Sequence, residues 1–505
     1  MSEPSTIGST PSGPADQRRP PEPGPGGVLT REIMAPAAVV VLGAIMTIID
    51  ATIVNVALPT LGRALHTSIT VIQWVPTVYL LAFASVIPLS GWAAGRFGTK
   101  TVWLTSLGVF MAGSLLAGLS WSVGALIAFR VLQGLGGGMI MPLGQGILAQ
   151  VAGPQRMGRV MSIIGIPMLL APIFGPLIGG SLIAAASWHW IFFVNLPVGL
   201  VAVALAVRLL PASGPRRPER LDVLGLVLLS GGLAVSLYGL AEAGQHARLA
   251  VSLGPVAAGA VLVALFAAHA RRAPNPLIDV RLFARRGFGT AAAANFVLGV
   301  ALFGVALLLP LYFEILRGRS PLETGVLLAP QGLGAACAIS LAGFLTDKVG
   351  ARWVVPFGVA LALAGTAMYA RIGVSTPYWS LALALFLVGA GLGATITPSM
   401  AAAFQDLPRA VMGHATSAIN VVQRVAGSVG SALLAVVLQG SITGSLPGFR
   451  GGIGQAAALA GASPRAALAV SHAFAVSFGV ALALSAVALV PAVLLPGRAR
   501  AQHSA

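Results

Sequence analysis

Ile48-Ile49-Asp50-Ala51-Thr52-Ile53-Val54-Asn55-Val56-Ala57-Leu58-Pro59 closes the first long apolar run of the chain, which begins near Ala35. An ionised carboxylate at the middle of a membrane helix costs about 2.5–3.5 kcal/mol on insertion scales, so Asp50 has to face protein or water and not lipid. That makes it a functional-site candidate. At 100° per residue Thr47, Asp50 and Asn55 share an arc of roughly 140°, while Ile48, Ile53 and Val56 fall mostly on other faces. The run reads as a membrane helix carrying one polar stripe.

Composition places the whole chain in the same class. Of 505 residues, 57% are hydrophobic and only 9% charged, with mean hydropathy +0.91, against about 25% charged in soluble domains. The net charge of +17 does not point to nucleic acid, because the basic residues are dispersed between apolar runs and form no stripe or patch. The single cysteine, Cys337, excludes an intrachain disulfide. Residues 1–34 hold Pro, Gly and Ser without an apolar core and read as a disordered tail, not a cleaved signal.

Fourteen runs are long enough to cross a ~30 Å hydrocarbon layer as helices. Charge tests the count. With the amino terminus inside, inner loops and tails hold 21 of the 30 basic residues and outer loops hold seven, which is the bias expected of cytoplasmic segments. Arg130 and Arg424 are left within spans. A missed or invented helix would invert every later loop, so both termini are expected to be cytoplasmic.

The chain also repeats itself. Gly91-Trp-Ala-Ala-Gly95-Arg96-Phe97-Gly98-Thr99-Lys100 follows span two, and Gly343-Phe-Leu-Thr-Asp347-Lys348-Val349-Gly350-Ala351-Arg352 follows span ten. Both read as short inner loops in which glycines bracket basic residues. The expected fold is an all-α integral membrane protein of two parallel six-helix repeats, residues 35–210 and 288–495, with two extra helices in 211–287 and a tail at 496–505.

Further stripes lie within the spans. In span four Arg130, Gln133, Gly134 and Gly137 stand at i, i+3, i+4 and i+7, so a cation and an amide share a face with glycines that admit a neighbouring backbone. At 1.5 Å per residue, Asp50 lies about 22 Å from the inner start of span one and Arg130 about 12 Å from the outer start of span four. Those depths are close enough for the two to communicate, or to form a purely structural pair. Span five carries prolines that kink it and a small-xxx-small contact at Gly175 and Gly179, next to Pro176 and Gly180. Trp188-His189-Trp190 begins span six as an aromatic belt with a solvated histidine. Spans seven and eight carry little polarity and read as lipid-facing additions. Asn275–Arg286 suits a segment lying in the inner interface. Tyr312 and Glu314 end span nine near the outer mouth. Span thirteen has a polar stripe of Ser417, Asn420, Arg424, Gly427, Ser428 and Ser431.

On these residues the chain resembles the major facilitator superfamily, and within it the fourteen-span drug:proton antiporters. Gly91–Lys100 is similar to the family's first signature, Gly-x-Leu-Ala-Asp-Arg-x-Gly-Arg-Lys, with Gly95 in place of the acid that Asp347 keeps in the second copy. The resemblance implies an inner gate built on Gly91, Arg96, Gly98 and Lys100 and on Gly343, Asp347, Lys348, Gly350 and Arg352. Arg130 to Gly134 resembles Arg-x-x-Gln-Gly, whose arginine is associated with proton coupling. Gly175-Pro176-Leu177-Ile178-Gly179-Gly180 resembles the antiporter signature Gly-Pro-x-x-Gly-Gly. Trp188 to Gly199 resembles Trp-x-Trp-x-Phe-x-x-Asn-x-Pro-x-Gly.

The expectation is a proton-coupled antiporter that exports drugs or other small amphipathic molecules across the cytoplasmic membrane by alternating access. Asp50 and Arg130 are expected to couple protons; Asn55, Gln133, Tyr312, Asn420 and Arg424 are cavity candidates. A rival within transport is a dedicated exporter of one endogenous metabolite, antibiotic or lipid precursor. A non-transporting membrane sensor or enzyme is the less favoured alternative, since no metal-ligand cluster, nucleophile–base pair or phosphate-cradling loop is present in the sequence. No cofactor beyond the coupling proton and no nucleic-acid partner is expected, and the functional unit is expected to be a monomer in the lipid bilayer.

Overall fold

The computed structural model describes residues 31–152, 174–175, 177–212, 220–245, 249–404, 407, 411–446 and 463–495. Among these the chain is helical without strands. In order the main helices are α1 (Arg31–Ala64), α2 (Trp74–Val86), α3 (Leu89–Phe97), α4 (Thr99–Gly118), α5 (Val123–Ala152), α6 (Asn195–Leu209), α7 (Val223–Gln245), α8 (Leu249–Ala270), α9 (Arg286–Leu311), α10 (Ala329–Val349), α11 (Ala351–Tyr369), α12 (Tyr378–Phe404), α13 (Met412–Ser445) and α14 (Pro464–Val487). Helix is what a dry environment demands, because each span then satisfies its own backbone. Ten helices of the described residues are long and apolar enough to cross a membrane, eleven if α2 and α3 are one bent span; shorter apolar helices run over Val223–Gly239 and Gly254–Ala270. Most of the expected fifth span lies outside the described residues, Pro176 included.

Two local features depart from the sequence reading. The segments Gly91–Phe97 and Gly343–Val349 are not loops but the closing turns of α3 and α10. Each reversal is left to one residue, Gly98 (φ 91°) and Gly350 (φ 87°). Only glycine enters that region without a steric penalty from Cβ, so the two copies of the repeat turn in the same way. The second span is broken: α2 and α3 meet at 55°, where Pro88 withholds an N–H and its ring crowds the preceding turn.

The repeat extends into packing. In the first half, Gly134 and Gly138 of α5 lie against the α2 backbone at Tyr79 and Phe83, and Gly136 lies against the α4 backbone at Ser106 and Phe110. In the second half, Gly389 and Gly393 of α12 meet α10 at Gln331 and Ala335, and Gly391 meets α11 at Ala362. In both halves a central helix thus clasps two neighbours through glycines on alternate positions, as expected where backbones approach closely in lipid.

One stripe of α13 crosses to the first half. Gly413 lies against Gly91, whose Cβ would come within 3.1 Å of the Gly413 carbonyl; Ser417 Oγ bonds Ser90 Oγ at 2.8 Å; Asn420 Nδ2 donates to Gln145 Oε1 at 2.7 Å. These contacts sit at the end of the bundle that carries the Gly98 and Gly350 turns. Helix α7 is not a lipid-facing addition. It packs on both α2 and α13, with Tyr238 stacked on Trp74 at 5.8 Å and the Ser230 hydroxyl bonded to the Ser85 carbonyl.

Candidate functional site

Four helices deliver polar side chains to one dry point. The carboxylate of Asp50 on α1 is 0% exposed, as are Arg130 and Gln133 on α5; Asn195, the first residue of α6, is 3% exposed. Arg130 Nη1 reaches Asp50 Oδ2 at 2.6 Å and also donates to Gln133 Oε1 at 2.7 Å. Asp50 Oδ1 accepts from Gln133 Nε2 at 2.8 Å and from Asn195 Nδ2 at 3.0 Å. Asn195 donates further to Ser114 Oγ at 2.9 Å, and that hydroxyl donates to the Phe192 carbonyl at 2.8 Å. The guanidinium lies over the Tyr79 ring, 4.0 Å from its centroid, and Tyr79 donates to the Thr47 carbonyl at 3.3 Å.

This arrangement is neutral as a pair and nearly complete as a network. Two buried unlike charges offset part of their desolvation, and amide donors on the carboxylate offset more. One donor is left over. Arg130 Nη2 is buried with no acceptor among the described residues, although a buried polar atom ordinarily finds one. Three N–H donors hold the carboxylate, and a proton added to the remaining lone pair of Oδ2 removes the negative charge that strengthens all three bonds. Protonation would therefore loosen the bonds that tie α1 to α5 and α6, which is the chemistry of a switch.

The sequence-derived candidates divide. Asp50, Arg130 and Gln133 come together, the i, i+3 spacing of the latter two placing both at the acid. Asn55 is exposed, one turn and a half beyond. Tyr312 is 0% exposed and sits among Tyr369 and Phe474, its hydroxyl accepting from Arg317 Nε at 2.9 Å; it lines no open space. Asn420 belongs to the crossing stripe described above. Arg424 lies one turn farther along it, exposed, with its guanidinium 4.3 Å from the Phe83 ring centroid.

The gate candidates behave as helix ends. Arg96, Lys348 and Arg352 are exposed, Lys348 over the Phe344 ring at 4.2 Å. Lys100 Nζ donates to the Val207 and Leu210 carbonyls at 2.7 and 2.8 Å, satisfying the end of α6. Gly91 and Gly343 are buried; the side chain of Asp347 lies outside the described residues. Gly175 and Gly179 are buried against Thr52 and Ile53 of α1, two to three residues from Asp50, whereas nothing would meet a Cβ at Gly180. His189 stacks on Trp188 at 3.7 Å, and partial burial lowers its pKa from the ordinary 6.5. It is less solvated than its place between two tryptophans suggests.

Asn195 and Ser114 were not among the sequence candidates. Asn195 stands in the aromatic Trp188–Gly199 segment, and its isolation as the amide of an otherwise apolar helix start was the signal available.

A model of the Major Facilitator Superfamily matches residues 40–431. The chain belongs to that superfamily. It is 40% identical over 496 residues to a Mycobacterium tuberculosis protein named multidrug resistance protein B homolog, covering 93% of this chain and 91% of that one. To the Escherichia coli putative multidrug resistance protein MdtD it is 29% identical over 403 residues, covering 79% and 85%. Among solved structures, the human organic anion transporter MFSD10 superposes with a TM-score of 0.60 over 90% of this chain and all of that one, at 17% identity. At that identity the likeness is one of fold alone. This superfamily member is a multi-pass membrane transporter with multidrug-resistance relatives.

Proposed function

We propose that the protein exports small amphipathic molecules across the cytoplasmic membrane in exchange for protons, by alternating access. The observation that carries the reading is Asp50, a fully buried carboxylate within an apolar span, bonded by Arg130, Gln133 and Asn195 from two other helices. Such an acid inside a membrane is costly and functional by default. Its protonation changes three bonds at once, and so biases how α1, α5 and α6 sit together. The multidrug-resistance names of the relatives support export of foreign compounds.

On this reading the end holding the Gly98 and Gly350 turns is cytoplasmic, in line with its arginines and lysines. The Gly91–Gly413, Ser90–Ser417 and Gln145–Asn420 contacts then close the inner side. Residues 35–210 and 288–495 are the two bundles that rock, and α7 rides between them. The test is uphill export from proteoliposomes under an imposed pH gradient. Export by the unaltered chain is expected to follow the gradient, and Asp50→Asn to lose that dependence; gradient-driven export by the variant would refute the assignment.

A further inference from the structure

Within the spans the chain carries one acid at mid-depth and two cations. Of its 13 acidic residues, Asp50 alone lies near the middle of an apolar run; every other one falls in a tail, a connection or an end turn of a span. Asp50 is taken by Arg130 at 2.6 Å. Arg424 lies twelve residues into α13 and so roughly 18 Å from its start at 1.5 Å per residue, and among the described residues no carboxylate other than the already paired Asp50 lies at its depth. The arginine cannot discard its charge. Phe83 of the first half covers one face of its guanidinium, so it points between the halves and not to lipid, and its side chain is exposed there.

Its surroundings are aromatic. On the neighbouring α9, Phe303 is 48% exposed, and its ring lies where a Cβ on Gly427, one turn beyond Arg424, would meet it at 3.2 Å. A cation left without a counter-ion among the described residues, seated on one aromatic face and one turn from an exposed phenylalanine ring, fits a ligand that brings both a negative charge and a flat apolar body. We propose that Arg424 is the recognition point for the carboxylate, or an equivalent anionic group, of aromatic organic anions, with Phe83 seating the guanidinium and the exposed ring of Phe303 taking the aromatic body. This deepens the export reading and rests on it. A monoanion leaving and a proton entering move charge in the same direction, so the exchange is electrogenic. A monocation leaving for one proton would be electroneutral.

Equilibrium binding of 2-naphthoate, neutral 2-naphthamide and 2-naphthylmethylammonium to the purified full-length chain, with no gradient, tests the site apart from coupling. The carboxylate is expected to bind about tenfold more tightly than the amide, the yield of one charge-assisted contact, and the ammonium more weakly than either. Arg424→Gln should bring carboxylate and amide within twofold, and Arg424→Lys should keep most of the preference. Equal binding of the three probes, no carboxylate binding at millimolar concentration, or an unchanged preference in Arg424→Gln would each overturn the proposal; the first two need no variant. In proteoliposomes without a pH gradient, a potential negative on the inner side should speed 2-naphthoate export, and indifference to voltage would also overturn it. Gradient-driven flux surviving in Asp50→Asn, with the carboxylate preference still lost in Arg424→Gln, would defeat proton coupling at Asp50 while leaving the anion site standing.

Discussion

Replacing Asp50 by Asn removes a charge without removing volume, and the structure says what that costs. The Asp50 oxygens accept Arg130 on one side and two amides on the other, so the new NH2 must oppose either a guanidinium or a pair of N–H donors. Arg130 is then a buried cation without a counter-ion. Breaking a buried pair by losing one partner costs about 3–5 kcal/mol, whereas losing both is far milder. Arg130→Gln alone should cost a similar amount, and the double variant much less than the sum, with a coupling of about 2 kcal/mol or more. Chemical or thermal unfolding in detergent, followed by tryptophan fluorescence, reads the stabilities; proteoliposome flux with and without a pH gradient reads the coupling. Each single variant should show a ratio of gradient-driven to passive flux near one. Additivity within about 0.5 kcal/mol would show that the two residues do not act as a pair, and would refute the reasoning.

Four other outcomes follow from the geometry. Ser90→Cys with Ser417→Cys, in a Cys337→Ala background, should form a disulfide under mild oxidant and stop transport until reduced, since the hydroxyls are 2.8 Å apart; free cycling of the cross-linked protein would show that this side never opens. Gly179→Val should cost about 1–3 kcal/mol by overpacking against Ile53, read as a lowered midpoint of unfolding, while Gly180→Val should leave it within about 0.5 kcal/mol. Asn195→Leu strips one donor from Asp50 and one from the Ser114 hydroxyl, and should cost about 1–3 kcal/mol and shift the pH profile of export, which a purely structural loss would leave in place. His189 should titrate below 6.5 by NMR because burial disfavours its cation; its stabilising neutral form is therefore complete above pH 6.5 and lost as the pH falls.

How much of this was legible beforehand depends on the physical signal each residue carries. Asp50 and Arg130 announce themselves because charge in an apolar run has few explanations, and helical spacing then fixes which neighbours share their face. The repeat was legible because glycine at a reversal has no substitute, although how far helix extends before Gly98 and Gly350 was not. Asn195 was hidden by its aromatic neighbours, which account for the segment without it. Tyr312 misled for a related reason: its position near a span end suits a cavity wall, but aromatic neighbours two and five helices further along the chain, Tyr369 and Phe474, decide its burial. The role of α7 was illegible because a span with one tyrosine and no charge at mid-depth looks the same whether it meets lipid or bridges two bundles.

The break at Pro88 separates two contacts that belong to different tasks. Above it, Phe83 attends the arginine of the opposite bundle and Tyr79 the arginine beside the buried acid; below it, Ser90 and Gly91 hold the inner seam. An elbow at that point allows the forearm to let go while the upper arm keeps its grip. On the alternating-access reading proposed above, opening at that end can then begin as a peeling of a few residues, with no need to lever the whole bundle at once.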